Sequence, residues 1–200
     1  MEVAAKRATS NGRGSAMQLK VTLRGVSKPP VWRRLLVPAD MRLDRLHEVI
    51  QTSLGWTDTH LHVFSTAAGD YGVPEPELGF RNERNARLAQ FLKQQGDRIN
   101  YAYDFGDGWE HDIVLEKRIV PDPGAQLPAC VAGKGACPPE DCGGPWGYSD
   151  LKETLANPRH EDHDDMLEWL GLDSGEEFDA TACDLVEINE VLDMTVTARR

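Results

Sequence analysis

No stretch of the 200 residues comes near the ~18 consecutive apolar residues that a membrane helix requires. The first 16 residues carry Lys6, Arg7 and Arg13 but lack the apolar core of a secretory signal, so they read as a flexible arm in a cytoplasmic protein. No internal repeat is visible, which sets aside solenoids and propellers. The cysteines show no paired C-x2-C spacing, and the acidic tail holds no D-x-D-x-D-G calcium loop. The letters DFG occur, but no Gly-rich loop or HRD precedes them, so a kinase is excluded. A chain of this length buries roughly 70% of its unfolded surface, so neither disulfide nor metal is needed merely to fold it.

Basic residues are scarce in the second half. Residues 101–200 carry 7 Lys+Arg against 23 Asp+Glu, whereas residues 1–100 carry 15 against 10. The split argues against a uniformly basic nucleic-acid binder and leaves room for one basic face. That face is the stretch Arg24, Lys28, Arg33, Arg34, Arg42 and Arg45, with Trp32 among them. Arg33 and Arg34 are adjacent in a strand and must point to opposite faces. The basic stretch is therefore expected to meet the acidic half, within the chain or across a dimer.

Met17–Val26 alternates Leu19, Val21 and Leu23 with Lys20, Thr22 and Arg24, the pattern of a half-buried strand. A second strand spans Val31–Val37. Asp40 is placed to cap a helix carrying Leu43, Leu46, Val49, Ile50 and Leu54, closed by Gly55. His60–Ser65 alternates again. Leu88, Phe91 and Leu92 suit a short helix. Arg98–Phe105 and Trp109–Val120 predict a hairpin around Gly106-Asp107-Gly108. Pro121–Tyr148 is dense in proline and glycine and predicts one long irregular loop, functional or pinned. Helical spacing returns from Ser149 onward. The order predicts an α+β fold with a mostly antiparallel sheet and acidic C-terminal helices. Boundaries fall at 1–16 for the arm, 17–195 for one domain and 196–200 for a tail.

Two long motifs stand in order: YAYDFGDGWEHDIVLE from Tyr101 and CVAGKGACPPEDCGGPWGY from Cys130. With PPVWRRLLVP and LGW…HLHVF upstream, the sequence resembles the plasmid pRiA ORF-three-like domain family, which includes TnpR-type passenger proteins of insertion elements. The resemblance spans roughly Met17 to Met194 and implies a compact α+β domain. It carries no established biochemical function.

Four groups of residues could carry chemistry. Cys130, Cys137 and Cys142 lie in a loop able to wrap an ion, and three thiolates need one more ligand for structural zinc. His111 or Cys183 could supply it; reduced free thiols are the plain alternative. His60 and His62 are two apart on a strand, a metal-site spacing, but without the glutamate that follows it in cupins; packing in the sheet is the plain reading. Asp104, Asp107 and His111 surround a tight turn, and Glu140 with Asp141 sits in a stiff Pro-Pro-Glu-Asp segment. Asp104, Asp107, His111 and Glu140 could serve general acid–base or metal-assisted catalysis. Asp and Gly are also what a hairpin turn demands. No nucleophile–base pair can be read.

Three functions follow as expectations. The first is a cytoplasmic binding or accessory module with zinc as cofactor, engaging a protein partner or a second copy through the hairpin tip and the Cys/Pro/Gly loop. The second is a metal-dependent hydrolase. The third is a DNA-associated accessory protein using Arg24 to Arg45. No membrane contact is expected.

Overall fold

A computed structural model describes residues 15–197. The arm expected over 1–16 lies outside the described residues except for Ser15 and Ala16, as do residues 198–200 of the expected tail.

Eight strands form one sheet: β1 (Ala16–Leu23), β2 (Trp32–Pro38), β3 (His62–Thr66), β4 (Gly69–Gly72), β5 (Arg81–Asn82), β6 (Arg98–Tyr103), β7 (Trp109–Ile119) and β8 (Ala129–Lys134). The spatial order is β5-β4-β3-β6-β7-β1-β2-β8, and every pair is antiparallel except β4–β5. Five helices accompany it: α1 (Leu43–Leu54), α2 (Leu88–Phe91), α3 (Gly144–Ala156), α4 (His163–Leu170) and α5 (Leu185–Thr197). The fold is α+β. Among the described residues no helix is long and apolar enough to cross a membrane.

Period-two alternation decides the two sheet faces. Leu19, Val21, Leu23, Leu35, Phe64, Tyr101, Tyr103, Trp109, Ile113 and Leu115 are buried, while Lys20, Thr22, Trp32, Arg34 and Glu116 sit half-buried on the opposite face. Helix α1 lays Leu43, Leu46, Ile50 and Leu54 into the core, each worth roughly 1.5–3 kcal/mol of burial. Gly55, left-handed at φ 80°, ends it by returning its N–H to Gln51 and Thr52.

Two local expectations change. Asp40 does not cap α1; Arg42 precedes the helix without a side-chain cap, and the Leu43 N–H bonds to the Ala86 carbonyl instead. The segment 121–148 is not wholly irregular. Its middle adds β8 to the free edge of β2, and α3 begins at Gly144. Asn189 of α5 brackets this edge strand, accepting from the Cys130 N–H at 2.8 Å and donating to the Cys130 carbonyl at 2.9 Å.

The opposite charges meet within the chain. Arg24 bridges Glu110 and Asp112 of β7 at 2.8 and 2.7 Å. Arg34 forks onto Glu116, whose carboxyl is held down at about 2 by that bond. Arg42 pairs with Asp44 and Arg45 with Glu48. Arg33, on the core side of β2, is buried.

Candidate cation site at the hairpin rim

The β6–β7 turn and the 137–144 loop touch at one end of the sheet. The Asp107 carboxylate accepts the Gly143 N–H at 3.1 Å. At Gly144, with φ 71°, an added Cβ would stand 2.3 Å from the Asp107 carbonyl oxygen, so only glycine permits this approach. The third contributor is the segment following α1, Trp56 to His62.

Thr57, Asp58, Thr59 and His62 commit side chains here or to the core beneath, and the Leu61 carbonyl accepts the Asp104 N–H at 2.9 Å. Glu140 accepts from the Thr57 N–H at 3.1 Å, from the Thr57 hydroxyl, from the Thr59 hydroxyl at 3.3 Å and from the Tyr103 hydroxyl. Burial works to raise the Glu140 carboxyl, but the Thr57 and Tyr103 bonds outweigh it and hold it below its ordinary value. Burial, then the Glu140 contact, pushes the Tyr103 phenol up to about 12, so it stays a donor.

His60, Asp104 and Asp141 converge beside this pair. The His60 Nε2 lies 3.3 Å from an Asp141 oxygen and 3.8 Å from Asp104 Oδ2. That nitrogen is sealed from solvent yet makes no hydrogen bond. Asp104 has its other oxygen occupied: Oδ1 accepts the Gly106 N–H at 2.9 Å and the Asp107 N–H at 3.3 Å. The turn thereby fixes Oδ2 toward the imidazole. Both aspartates hold left-handed backbone, φ 53° at Asp104 and 60° at Asp141, conformations that cluster where side chains must be aimed.

The residues read from sequence divide here. Asp104, Asp107 and Glu140 do come together at the rim. His111 does not: it packs on the core face, edge-on to Trp56 at 5.4 Å, with 1% exposure. Desolvation lowers it to about 4. The structure does not gather Cys130, Cys137, Cys142 and His111 into one ligand set. Among the described residues, two groups of three or more His, Cys, Asp or Glu have ligand atoms within 4.8 Å of one another, and neither contains a cysteine or His111. All four cysteines are free. Burial pushes the Cys130 thiol up to about 11 and Cys142 to about 12, and raises Cys137 further.

Residues 15–187 match the model of the plasmid pRiA4b ORF-3-like protein family. The chain belongs to this family. It is 42% identical over 182 residues to the uncharacterized protein y4hQ of Sinorhizobium fredii, covering 90% of this chain and 91% of that protein. It is also similar to the crystal structure of a protein of unknown function from Methanosarcina mazei Go1. There the identity is 33%, the TM-score 0.77, and the coverage 88% of this chain and 98% of that one.

This ORF-3-like domain holds a second polar group beneath the rim. His47 of α1 and His62 of β3 stack at 3.5 Å. His62 Nε2 meets Glu83 at 2.8 Å, and His47 Nε2 meets Asp58 at 2.8 Å. Gln51 donates to the Tyr101 hydroxyl, which lies 2.7 Å from His47 Nδ1. The Asp58 N–H donates to the Gln51 side-chain Oε1 at 3.2 Å, closing a ring of bonds. His60 and His62, two apart in sequence, therefore serve different groups, because β3 starts only at His62. The sequence held one signal for the buried set: His47 and Gln51, four apart, interrupt the apolar stripe of α1.

Proposed function

We propose that the protein is a cation-binding interaction module whose site is the hairpin rim, with His60, Asp104 and Asp141 as ligands. One observation carries this reading. A sealed imidazole nitrogen without a hydrogen bond faces two carboxylates on two different loops. Ligand bonds of ~2.0–2.2 Å in a tetrahedron place donor atoms about 3.3–3.6 Å apart, close to the spacings of 3.3 and 3.8 Å seen here. One imidazole and two carboxylates suit zinc or manganese better than magnesium, which prefers oxygen alone. The partner side of the reading rests on exposed apolar residues at the same rim. Trp146, two residues after Gly144, is 88% exposed, and Phe105 of the hairpin tip is 47% exposed. Large aromatics of this kind are the anchors that protein partners cover.

A hydrolase built on the same residues has less support. A general base works best with a pKa near the working pH. Glu140 is saturated with donors and held low, and His111 is outside the rim.

Calorimetric titration of chelator-treated full-length chain with zinc and with manganese tests the proposal. Saturable one-site binding that His60→Ala and Asp141→Asn each weaken is the expected result. Binding that survives both substitutions, or heat changes no larger than buffer, overturns it.

A further inference from the structure

A second cleft opens between the end of α1, the segment after β8 and helix α5, with a volume of about 460 Å³. That is within the ordinary range of small-molecule sites. None of the rim ligands lines it. Arg33 does, and Arg33 is 3% exposed.

The hydrogen-bond pattern of that guanidinium is incomplete in one direction. Its Nε donates to the Ser53 carbonyl at 2.9 Å. Its Nη1 faces the carbonyls of Trp32, Lys134 and Gly135 at 3.0, 3.2 and 3.1 Å. Nη2 has no acceptor among the described residues, and it is not one of the polar atoms sealed from solvent. Among the described residues no carboxylate forms an ion pair with Arg33. The core therefore holds a full positive charge oriented by four neutral carbonyls, on a side chain that lines the cleft and whose Nη2 has no protein acceptor among the described residues. Burying a cation without a counter-charge is unfavourable, and a bound anion would relieve it.

The walls narrow the choice of anion. Leu54, Trp56, Ile188 and Val191 offer apolar surface. Asp184 and Glu187, both exposed, stand on the α5 side. The Asp184 carboxylate is already engaged with the N–H groups of Val186 and Glu187, so it caps α5 rather than turning to Arg33. These two acids disfavour a multiply charged ligand such as phosphate or a nucleotide. We propose that the cleft binds a small organic monocarboxylate, its head on Arg33 Nη2 and its apolar tail between Trp56 and Val191. The cation site at the rim is not needed for this.

Hexanoate is the probe, titrated into isotopically labelled full-length chain by nuclear magnetic resonance. The Trp56 indole N–H and the Arg33 Nε–H report the site. Both resonances should shift saturably below about 50 mM hexanoate, a weak affinity fitting a small ligand. Hexanamide, with the same tail and no charge, should bind at least about tenfold more weakly, since it lacks the charge-assisted bond. Arg33→Gln removes four carbonyl contacts as well as the charge, so the decisive variants sit on the exposed wall. Val191→Asp should weaken hexanoate by about tenfold, and Glu187→Gln should strengthen it by about two- to threefold, through like-charge effects of opposite sign. Equal binding of hexanoate and hexanamide overturns the proposal. So does the absence of saturable shifts at Trp56 and Arg33, or hexanoate affinity unchanged in both wall variants. Stronger binding of inorganic phosphate than of hexanoate overturns the monocarboxylate assignment.

Discussion

His47 and His62 lie ring on ring, with centroids 3.5 Å apart and planes 8° from parallel. The two come from different elements, α1 and β3, and each has a carboxylate on its Nε2. Two stacked imidazolium ions in a buried site would repel. Burial and then the neighbouring His62 lower the His47 pKa, so the pair is stable with His47 neutral. A directed chain fits this state: Gln51 donates to Tyr101, Tyr101 to His47 Nδ1, and His47 Nε2–H to Asp58.

Acid should therefore loosen the core well before carboxylates are neutralised. A buried base with a lowered folded pKa gives stability that is complete above its unfolded value and lost as pH falls toward the folded value. For His111 the window runs from 6.5 down to about 4, on the order of 3 kcal/mol for that one fully buried group. His47 shifts in the same direction. Denaturant midpoints measured between pH 8 and about 4 should be flat at the top and fall through this window. His111→Asn should flatten part of the slope. A midpoint that rises on acidification in that window contradicts the assignment of neutral buried histidines.

Tyr101→Phe tests the ring of bonds. The hydroxyl is the shared partner of Gln51 Nε2 and His47 Nδ1, so its removal leaves two buried polar atoms without a partner. The expected cost is about 1–3 kcal/mol in urea unfolding, with the slope unchanged. Gln51→Leu should lose less, because it deletes the donor together with its need for a partner and strands only the part-buried Asp58 N–H.

How much of this was legible in the sequence follows from what kind of signal each part left. The strands β1, β2, β6 and β7 were readable because one face is buried and the other wet, which writes period-two alternation into the chain. Strand β8 was not, since Pro and Gly on both sides mask a six-residue edge strand that exists only because β2 offers a free edge. Asp104, Asp107 and Glu140 are legible because turn acids stand out. Spacing ties His60 to His62, yet the segment before β3 is not extended in a ladder, so the two part company. His111 lies away from the rim for a related reason. A histidine after a hairpin turn reads as a tip residue, but its register opposite Tyr101 and Leu23 puts it in the core.

Gly144→Ala should separate the two loops of the rim. Its φ of 71° costs an L-residue roughly 1–2 kcal/mol, and the new methyl would collide with the Asp107 carbonyl at 2.3 Å. The 137–144 loop must then move, carrying Asp141 away from His60. Zinc affinity measured by calorimetry should fall by at least about tenfold, while the thermal midpoint drops by only a few degrees. Gly124→Ala, also at positive φ but with open space around it, is the matched control and should leave cation affinity unchanged.

The basic stretch gives the last prediction. Arg24, just after β1, pairs with Glu110 and Asp112 on the adjacent β7, and Arg34 of β2 reaches across β1 to Glu116, so β7 neutralises what the first strands display. Trp32 lies between Lys20 and Arg34, with both cations about 5 Å from its ring, at 5.1 and 5.2 Å. Cations with an aromatic form a surface that nucleic acid would stack on, if the acids were absent. The unaltered chain should leave duplex DNA unretarded at about 50 mM salt, where phosphate attraction is strong. Replacing Glu110, Asp112 and Glu116 together by glutamines should create retardation that about 200 mM salt abolishes. The surface pairs are each worth at most about 1 kcal/mol, so the triple variant should remain folded. DNA binding by the unaltered chain, lost on Arg34→Ala, would show that the pairing opens for a phosphate backbone and that the sheet's outer face is the working surface.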